Sequence, residues 1–217
     1  MSNDDTAPME VSRRSRWCNP GAWLTALGLV LLASTVWVPF QSAERTARVE
    51  RRADQIAALL LEATSRASDA NVGTYWDPAT AEIVLAYFHA LAMRDGAFVN
   101  DLEVLDQALP DSLLTLQNKH YAFQIAVSPP DPKDTPSADA EPAYEVTAWP
   151  LSAVGPGRSV FFYPENAPRA YTRNLAKGYT GLDDRRITPG CGHRRLAQTL
   201  ELRVSYRGLD DERWIVF

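Results

Sequence analysis

The spacing of hydrophobic positions changes twice along this chain. From Trp17 to Ala43 no charged residue interrupts the sequence. The densest part, Ala22 to Phe40, is 19 residues long. As a helix it would span ~28 Å, close to the ~30 Å hydrocarbon core of a bilayer. Trp23 and Trp37 lie near its ends, where indole rings favour the membrane interface. This stretch is predicted to be a single transmembrane helix. Beyond it, Gln41 to Ala70 contains no proline and no glycine. Val49, Ala53, Ile56, Leu60 and Ala63 recur at three- and four-residue steps, so the helix is expected to continue as an amphipathic one. Glu44 with Arg48 and Glu62 with Arg66 are i,i+4 pairs in the favourable order. Pro39 removes a backbone donor where the two parts meet. The apolar stripe can pack on the chain's own domain or pair in a coiled-coil stalk.

A break follows at Asn71 to Asp77. Asp77 can cap a second helix that opens with Pro78 and runs to about Arg94. Its predicted inner face holds Ile83, Ala86, Tyr87, Ala90 and Leu91, and Gly96 is the expected stop. His89 falls within this helix as a surface or packing residue. Asp101 to Gln117 is leucine-rich, broken at Pro110, and could form a short helix. From His120 onward the period becomes two. Tyr121 to Ser128, Tyr144 to Trp149, Arg158 to Tyr163, Thr199 to Tyr206 and Arg213 to Phe217 read as strands, the first two antiparallel and the last two a closing pair. In that pair Trp214 and Val216 share one face, as do Leu200, Leu202 and Val204 on the other strand. Pro129 to Ala143 has five prolines and no aromatic residue and is expected to be a mobile, solvent-exposed loop. Asn166 to Gly192 is irregular and polar.

The expected fold is therefore α+β: an N-terminal transmembrane helix continuing as an amphipathic helix, a second helix, then an antiparallel β-sheet. The expected organisation is a basic tail or leader at 1–21, the span at 22–40, the amphipathic helix at 41–70, and an extracytoplasmic α+β domain at 71–217 with its flexible loop at 129–143. Of the 217 residues, roughly 175 lie beyond the span, enough for one domain with its own core. Arg13, Arg14 and Arg16 before the apolar run mark a signal peptide or a signal anchor, and the length of the run favours an uncleaved anchor. Four arginines, Arg45, Arg48, Arg51 and Arg52, follow it, so charge asymmetry leaves the orientation open. A short basic tail before a first helix ordinarily stays in the cytoplasm. The expectation is single-pass in the inner (cell) membrane, tail inside and domain outside.

Composition narrows the function. A net charge of −5 lacks the basic footprint of a general nucleic-acid binder. Cys18 and Cys191 fall on or near opposite sides of the span and provide neither a disulfide framework nor a CxxC metal clip. No GxSxG, HExxH, P-loop or dinucleotide fingerprint is present. Cys191 with His193 supplies two ligands where a zinc site needs about four. Asp183-Asp184 and Asp210-Asp211 sit beside turn residues and arginines, as solvated loops do. No catalytic, metal or cofactor site is assigned. Arg185, Arg186, His193, Arg194 and Arg195 form the main basic cluster. It is either a salt-bridged loop or a contact for lipid headgroups or an acidic partner.

A basic leader, a long apolar helix that continues as an amphipathic one, and then an antiparallel sheet resemble type IV pilins and the pseudopilins of type II secretion. Tyr144 to Asn174, YEVTAWPLSAVGPGRSVFFYPENAPRAYTRN, is similar to the strand–turn–strand end of those proteins. The resemblance implies a non-enzymatic structural component that works through protein contacts, with self-association through the N-terminal helix. The family's leader ends in Gly before a residue that is usually Phe, with Glu at the fifth mature position. Here Gly21 precedes Ala22 and Trp23, and Ala26 stands at the fifth position. A membrane-anchored sensor or ligand-binding domain is the alternative expectation.

The span is directly testable. The protein should fractionate with membranes and resist carbonate extraction. Leu31→Arg, at the middle of the run, should add ~2.5–3.5 kcal/mol to insertion on the translocon scale. Wild-type protein that is soluble without detergent would remove the span.

Overall fold

The computed structural model describes residues 20–69, 78–96, 102–105, 109, 112–129, 143–194 and 204–217. Residues 1–19 of the expected tail, the break after residue 70, residues 130–142 of the proline-rich loop, Arg195 and residues 199–203 lie outside the described residues. Two compact units are present, Met1–Ser42 and Ala43–Phe217.

The architecture is α+β. Helix α1 (Pro20–Asp69) continues through Pro39. Helix α2 (Pro78–Arg94) follows. Among the described residues eight strands come next: β1 (Glu103–Val104), β2 (Leu114–Gln117), β3 (Tyr121–Val127), β4 (Tyr144–Pro150), β5 (Val160–Pro164), β6 (Ala170–Thr172), β7 (Ser205–Arg207) and β8 (Arg213–Val216). They form one sheet in the order β1-β2-β3-β4-β5-β6-β8-β7. All pairings are antiparallel. It is a meander until its last step, where β8 enters between β6 and β7.

Within the second unit the α1 stripe meets the sheet. Ala53, Ile56, Ala57, Leu60, Ala63 and Ala67 are buried with Phe123, Ile125, Val146, Ala148 and Phe161. The alanines let the helix axis lie close to the strands, and Ile56 and Leu60 fill the gap. Two carboxylates fix its register: Glu50 Oε1 accepts the backbone N–H groups of Arg158 and Ser159, each at 3.0 Å, and Asp54 accepts from the Tyr163 hydroxyl. Since residue 50 meets residues 158–159 and residue 54 meets residue 163, α1 runs in the same direction as β5. Of the two i,i+4 pairs, Glu62–Arg66 closes at 2.6 Å; Glu44 and Arg48 are both exposed with no ion pair between them.

The other face of the sheet is buried as well. Ala122, Trp149, Val160, Phe162 and Ala170 pack against Tyr179, Ile187, Cys191, Tyr206 and Trp214. Residues 173–194, without helix and with no strand of their own, cover this face.

Several expectations change. Helix α2 buries Val84, Phe88, Leu91 and Ala92, while Ala86 and Ala90 are exposed. Its inner face is rotated by about one residue, because bulky Val84 and Phe88, four apart, gain more from burial than alanines do. His89 is exposed, with an edge contact to Phe88 at 5.6 Å. The described parts of 101–117 are strands β1 and β2 instead of a helix. Leu114 and Leu116 alternate onto the helix-covered face, and the sheet edge offered by β3 decides the matter. Asn166–Gly192 contains one short strand, β6, whose Tyr171 pairs with both Phe161 and Ile215. The closing pair forms over its described residues, Tyr206 opposite Trp214. Val204, however, is 73% exposed, because it lies past the end of β7 at the outer edge.

Trp214 is fully buried, meets the Phe162 ring at a tilt of 60° with centroids 5.7 Å apart and donates its Nε1–H to Asp210 at 3.2 Å. Trp214→Ala should cost ~3–5 kcal/mol. Truncation after Glu212 should leave the domain unfolded or aggregated, measured by denaturant unfolding of the detergent-solubilised full chain. An unchanged midpoint would show that β8 does not hold the sheet.

Candidate functional site

Two regions carry polar or apolar groups in arrangements that need explaining. The first is the described surface of the unit Met1–Ser42. Leu24, Leu27, Val30, Leu31, Trp37 and Phe40 are each more than half exposed. Ser34 and Thr35 donate their hydroxyls to the carbonyls of Leu31 and Leu32 at 2.8 and 2.9 Å, so the polar atoms in the run are satisfied within the helix. Water is a poor solvent for this surface. The N-terminal helix is long and apolar enough to cross a membrane, and none of its apolar window is buried.

The second region lies on the loop-covered face of the sheet. Glu145, on β4, is 1% exposed. Its Oε1 accepts the Gly190 N–H at 2.6 Å. Its Oε2 faces Ser128 Oγ at 3.1 Å and His193 Nε2 at 3.0 Å, while Ser128 Oγ lies 2.8 Å from the same Nε2. The imidazole stands edge-on to Phe162. A Ser, a His and a Glu in mutual contact invite comparison with a hydrolase triad. The geometry differs in the atom that matters. In a triad the base takes the serine proton on one ring nitrogen and is oriented by the acid through the other. Here both partners converge on Nε2. The Ser128 hydroxyl itself donates to Glu145 Oε2, so the arrangement lacks the two-nitrogen relay of a triad. The cluster satisfies a buried carboxylate and pins residues 190–193 to β4.

A second buried carboxylate works alike. Glu212, 3% exposed, accepts the Thr172 hydroxyl at 3.0 Å and the backbone N–H groups of Leu175, Ala176 and Lys177 at 2.9–3.4 Å. Asn174 and Tyr179 close the loop through paired bonds of 2.6 and 2.7 Å. Asp210 receives the Tyr179 hydroxyl at 2.7 Å.

The basic cluster seen in the sequence is divided. Thr180 and Arg185 join through a backbone bond, and Gly181 donates to Pro150 at the end of β4. His193 binds Glu145 near the start of that strand. Five residues of β4 separate the two, ~17 Å at strand rise. Arg185 is exposed and Arg186 half-buried. Arg194 is exposed and lies over the Tyr206 ring at 4.9 Å, and Arg195 is outside the described residues. His193 is thus a core-facing partner of Glu145 and no part of a free basic patch. Among the described residues no group of three or more His, Cys, Asp or Glu side chains could hold a metal ion. Glu145, Ser128, Glu212 and Glu50, which organise the domain, were not singled out by the sequence. The one available signal was Trp149 sharing a strand face with Glu145, since a Trp on a supposedly solvated face implies a cover.

Comparison with protein-family models, curated proteins and solved structures finds no match for the chain.

Burial raises the pKa of the Cys191 thiol, with Asp210 and Glu145 adding to the effect. Burial likewise raises the hydroxyls of Tyr179 and Tyr206. These groups hold their protons more tightly folded than unfolded. The stability they contribute is complete below their unfolded pKa values, ~8.5 for Cys and ~10 for Tyr, and falls as the pH rises above them. The domain should therefore unfold in alkali, with part of the phenolate absorbance appearing only as tertiary structure is lost. Full tyrosine ionisation near pH ~10 in a still-folded domain would contradict this burial.

Proposed function

We propose that the chain is a single-pass protein of the cell membrane, its tail cytoplasmic and its α+β domain extracytoplasmic, acting as a pilin-like or secretion-apparatus structural component through protein contacts. Helix α1 carries this reading. One element contains an exposed apolar surface from Trp23 to Phe40 and, from Ala53 to Ala67, part of the domain's core. A separate, replaceable anchor would not contribute core residues. The polar clusters support a non-enzymatic role, since Glu145 and Glu212 are saturated by internal donors. Arg185, Arg186 and Arg194 remain candidates for a partner or lipid contact.

The second reading, an anchored sensor or ligand-binding domain, draws on Gln124 Oε1 and Thr180 Oγ1, both buried without a hydrogen-bond partner among the described residues. The two readings differ in what the membrane helix touches. Single cysteines at Leu24, Leu27 and Leu31, in a Cys18→Ser background, should form disulfide-linked dimers in membranes at positions sharing one helical face. Absence of crosslinks at every position along the span would favour the sensor.

A further inference from the structure

Helix α2 has the composition of an interior helix but lies at the surface of the domain. Its charged residues are Glu82 and Arg94. No Asp, Glu, Lys or Arg stands between them. A helix on the outside of a domain ordinarily turns charged residues to water and apolar ones inward. Here the inward side holds Val84, Phe88, Leu91 and Ala92. Ala86, Ala90 and Met93 face solvent, Met93 at 83% exposure.

This outer face is its own complement. Phe88 is fully buried, so the direction opposite it points away from the domain. At ~100° per residue, positions two, five and six removed from Phe88 fall within about 60° of that direction. They are Ala86 and Ala90, Ile83 and Met93, Glu82 and Arg94. When two copies meet antiparallel about a twofold axis at the level of Phe88, each residue meets the other member of its pair. Alanine then faces alanine, Met93 covers the half-buried Ile83 of the second copy, and acid faces base at both ends.

The charges select the occupant. Glu82 is exposed and makes no ion pair among the described residues. Arg94 touches Asp95 at 3.0 Å and reaches Glu62 at 3.8 Å, but Glu62 is already held by Arg66 at 2.6 Å. The Arg94 side chain stays 58% exposed, and its remaining N–H groups can take a further carboxylate. A strip with an acid at one end and a base at the other is matched, in charge and in apolar content, by the same strip turned end for end. We infer that α2 forms the contact of a twofold dimer of this chain, crossing at Ala86 and Ala90 and closed by Glu82 on Arg94 of the second copy at each end. The small side chains let the helix axes approach to ~8 Å, and the antiparallel helix dipoles attract. One helix face per copy is a small interface, so the affinity is expected to be about micromolar. This contact goes beyond the proposed association through the N-terminal helix and is independent of it. It is satisfied by two copies, where a filament contact is not.

The test co-expresses two differently tagged full-length copies in a Cys18→Ser background, one with Ala86→Cys and the other with Ala90→Cys. Oxidation should link the 86/90 combination. Copies that both carry Ala86→Cys should link poorly, because their cysteines lie a helical turn apart, and so should copies that both carry the exposed Leu175→Cys. Met93→Asp should abolish the 86/90 link, and Glu82→Lys should weaken association by about tenfold, since it turns two attractions into two repulsions. Both positions are exposed, so the denaturant midpoint should stay unchanged in each variant. An 86/90 yield no higher than that of the 86/86 or 175/175 combinations would overturn the contact, and so would a link that survives Met93→Asp. Crosslinks along residues 24–31 with none at 86/90 would overturn the α2 dimer and leave association through the N-terminal helix standing.

Discussion

A buried carboxylate is tolerable only when donors surround it, and in this domain that requirement organises the segments that secondary structure leaves free. With helices on one face of the sheet and residues 173–194 on the other, every residue of β4 and β5 is buried. Glu145 and Glu212 nonetheless sit inside. Unpaired, each would cost several kcal/mol. Each is instead ringed by N–H and O–H groups drawn from irregular backbone. The amides of residues 175–177 and 190, which a loop would otherwise leave to solvent, thereby gain a charged acceptor. The same logic fixes the helix, where Glu50 takes the first amides of the β5 segment. The loop cover is thus ordered by charge as much as by apolar contact.

That organisation explains what could be seen in the sequence. Period and punctuation revealed helix α2 to its ends, because Pro78 and the left-handed Gly96 are local signals. They also revealed β3, β4 and their pairing, since YAFQIAV and YEVTAW carry strand-forming residues without interruption. The amphipathic part of α1 was legible because its alanine and leucine stripe is strictly helical in spacing. Where neighbours decide, the pattern failed. Leu114–Gln117 resembles a short helix until the edge of β3 is offered to it. Ala170–Thr172 has three residues and no periodicity to detect.

The candidate site was less legible than the fold, for a physical reason. Arg185, Arg186, His193 and Arg194 are close in sequence, but a loop that crosses the sheet separates them along β4. Glu145 and His193 are 48 positions apart and meet only because that loop returns. Proximity in sequence measures proximity in space well within a helix and poorly across a loop. The contrast bears on function too. The Ser–His–Glu contact assembled this way fastens residues 190–193 to β4, with Ser128 and Glu145 both meeting the imidazole at Nε2.

The late entry of β8 has a consequence for how the protein is made. Because β8 lies between β6 and β7, β7 has no sheet to join until the residues after it have arrived. Helix α1 waits longer still, since the amides that Glu50 binds come 108 and 109 positions later. During vectorial synthesis the apolar run of α1 therefore emerges well before the apolar stripe beside it can be covered. Ile56 and Leu60 must be kept from aggregating through that interval.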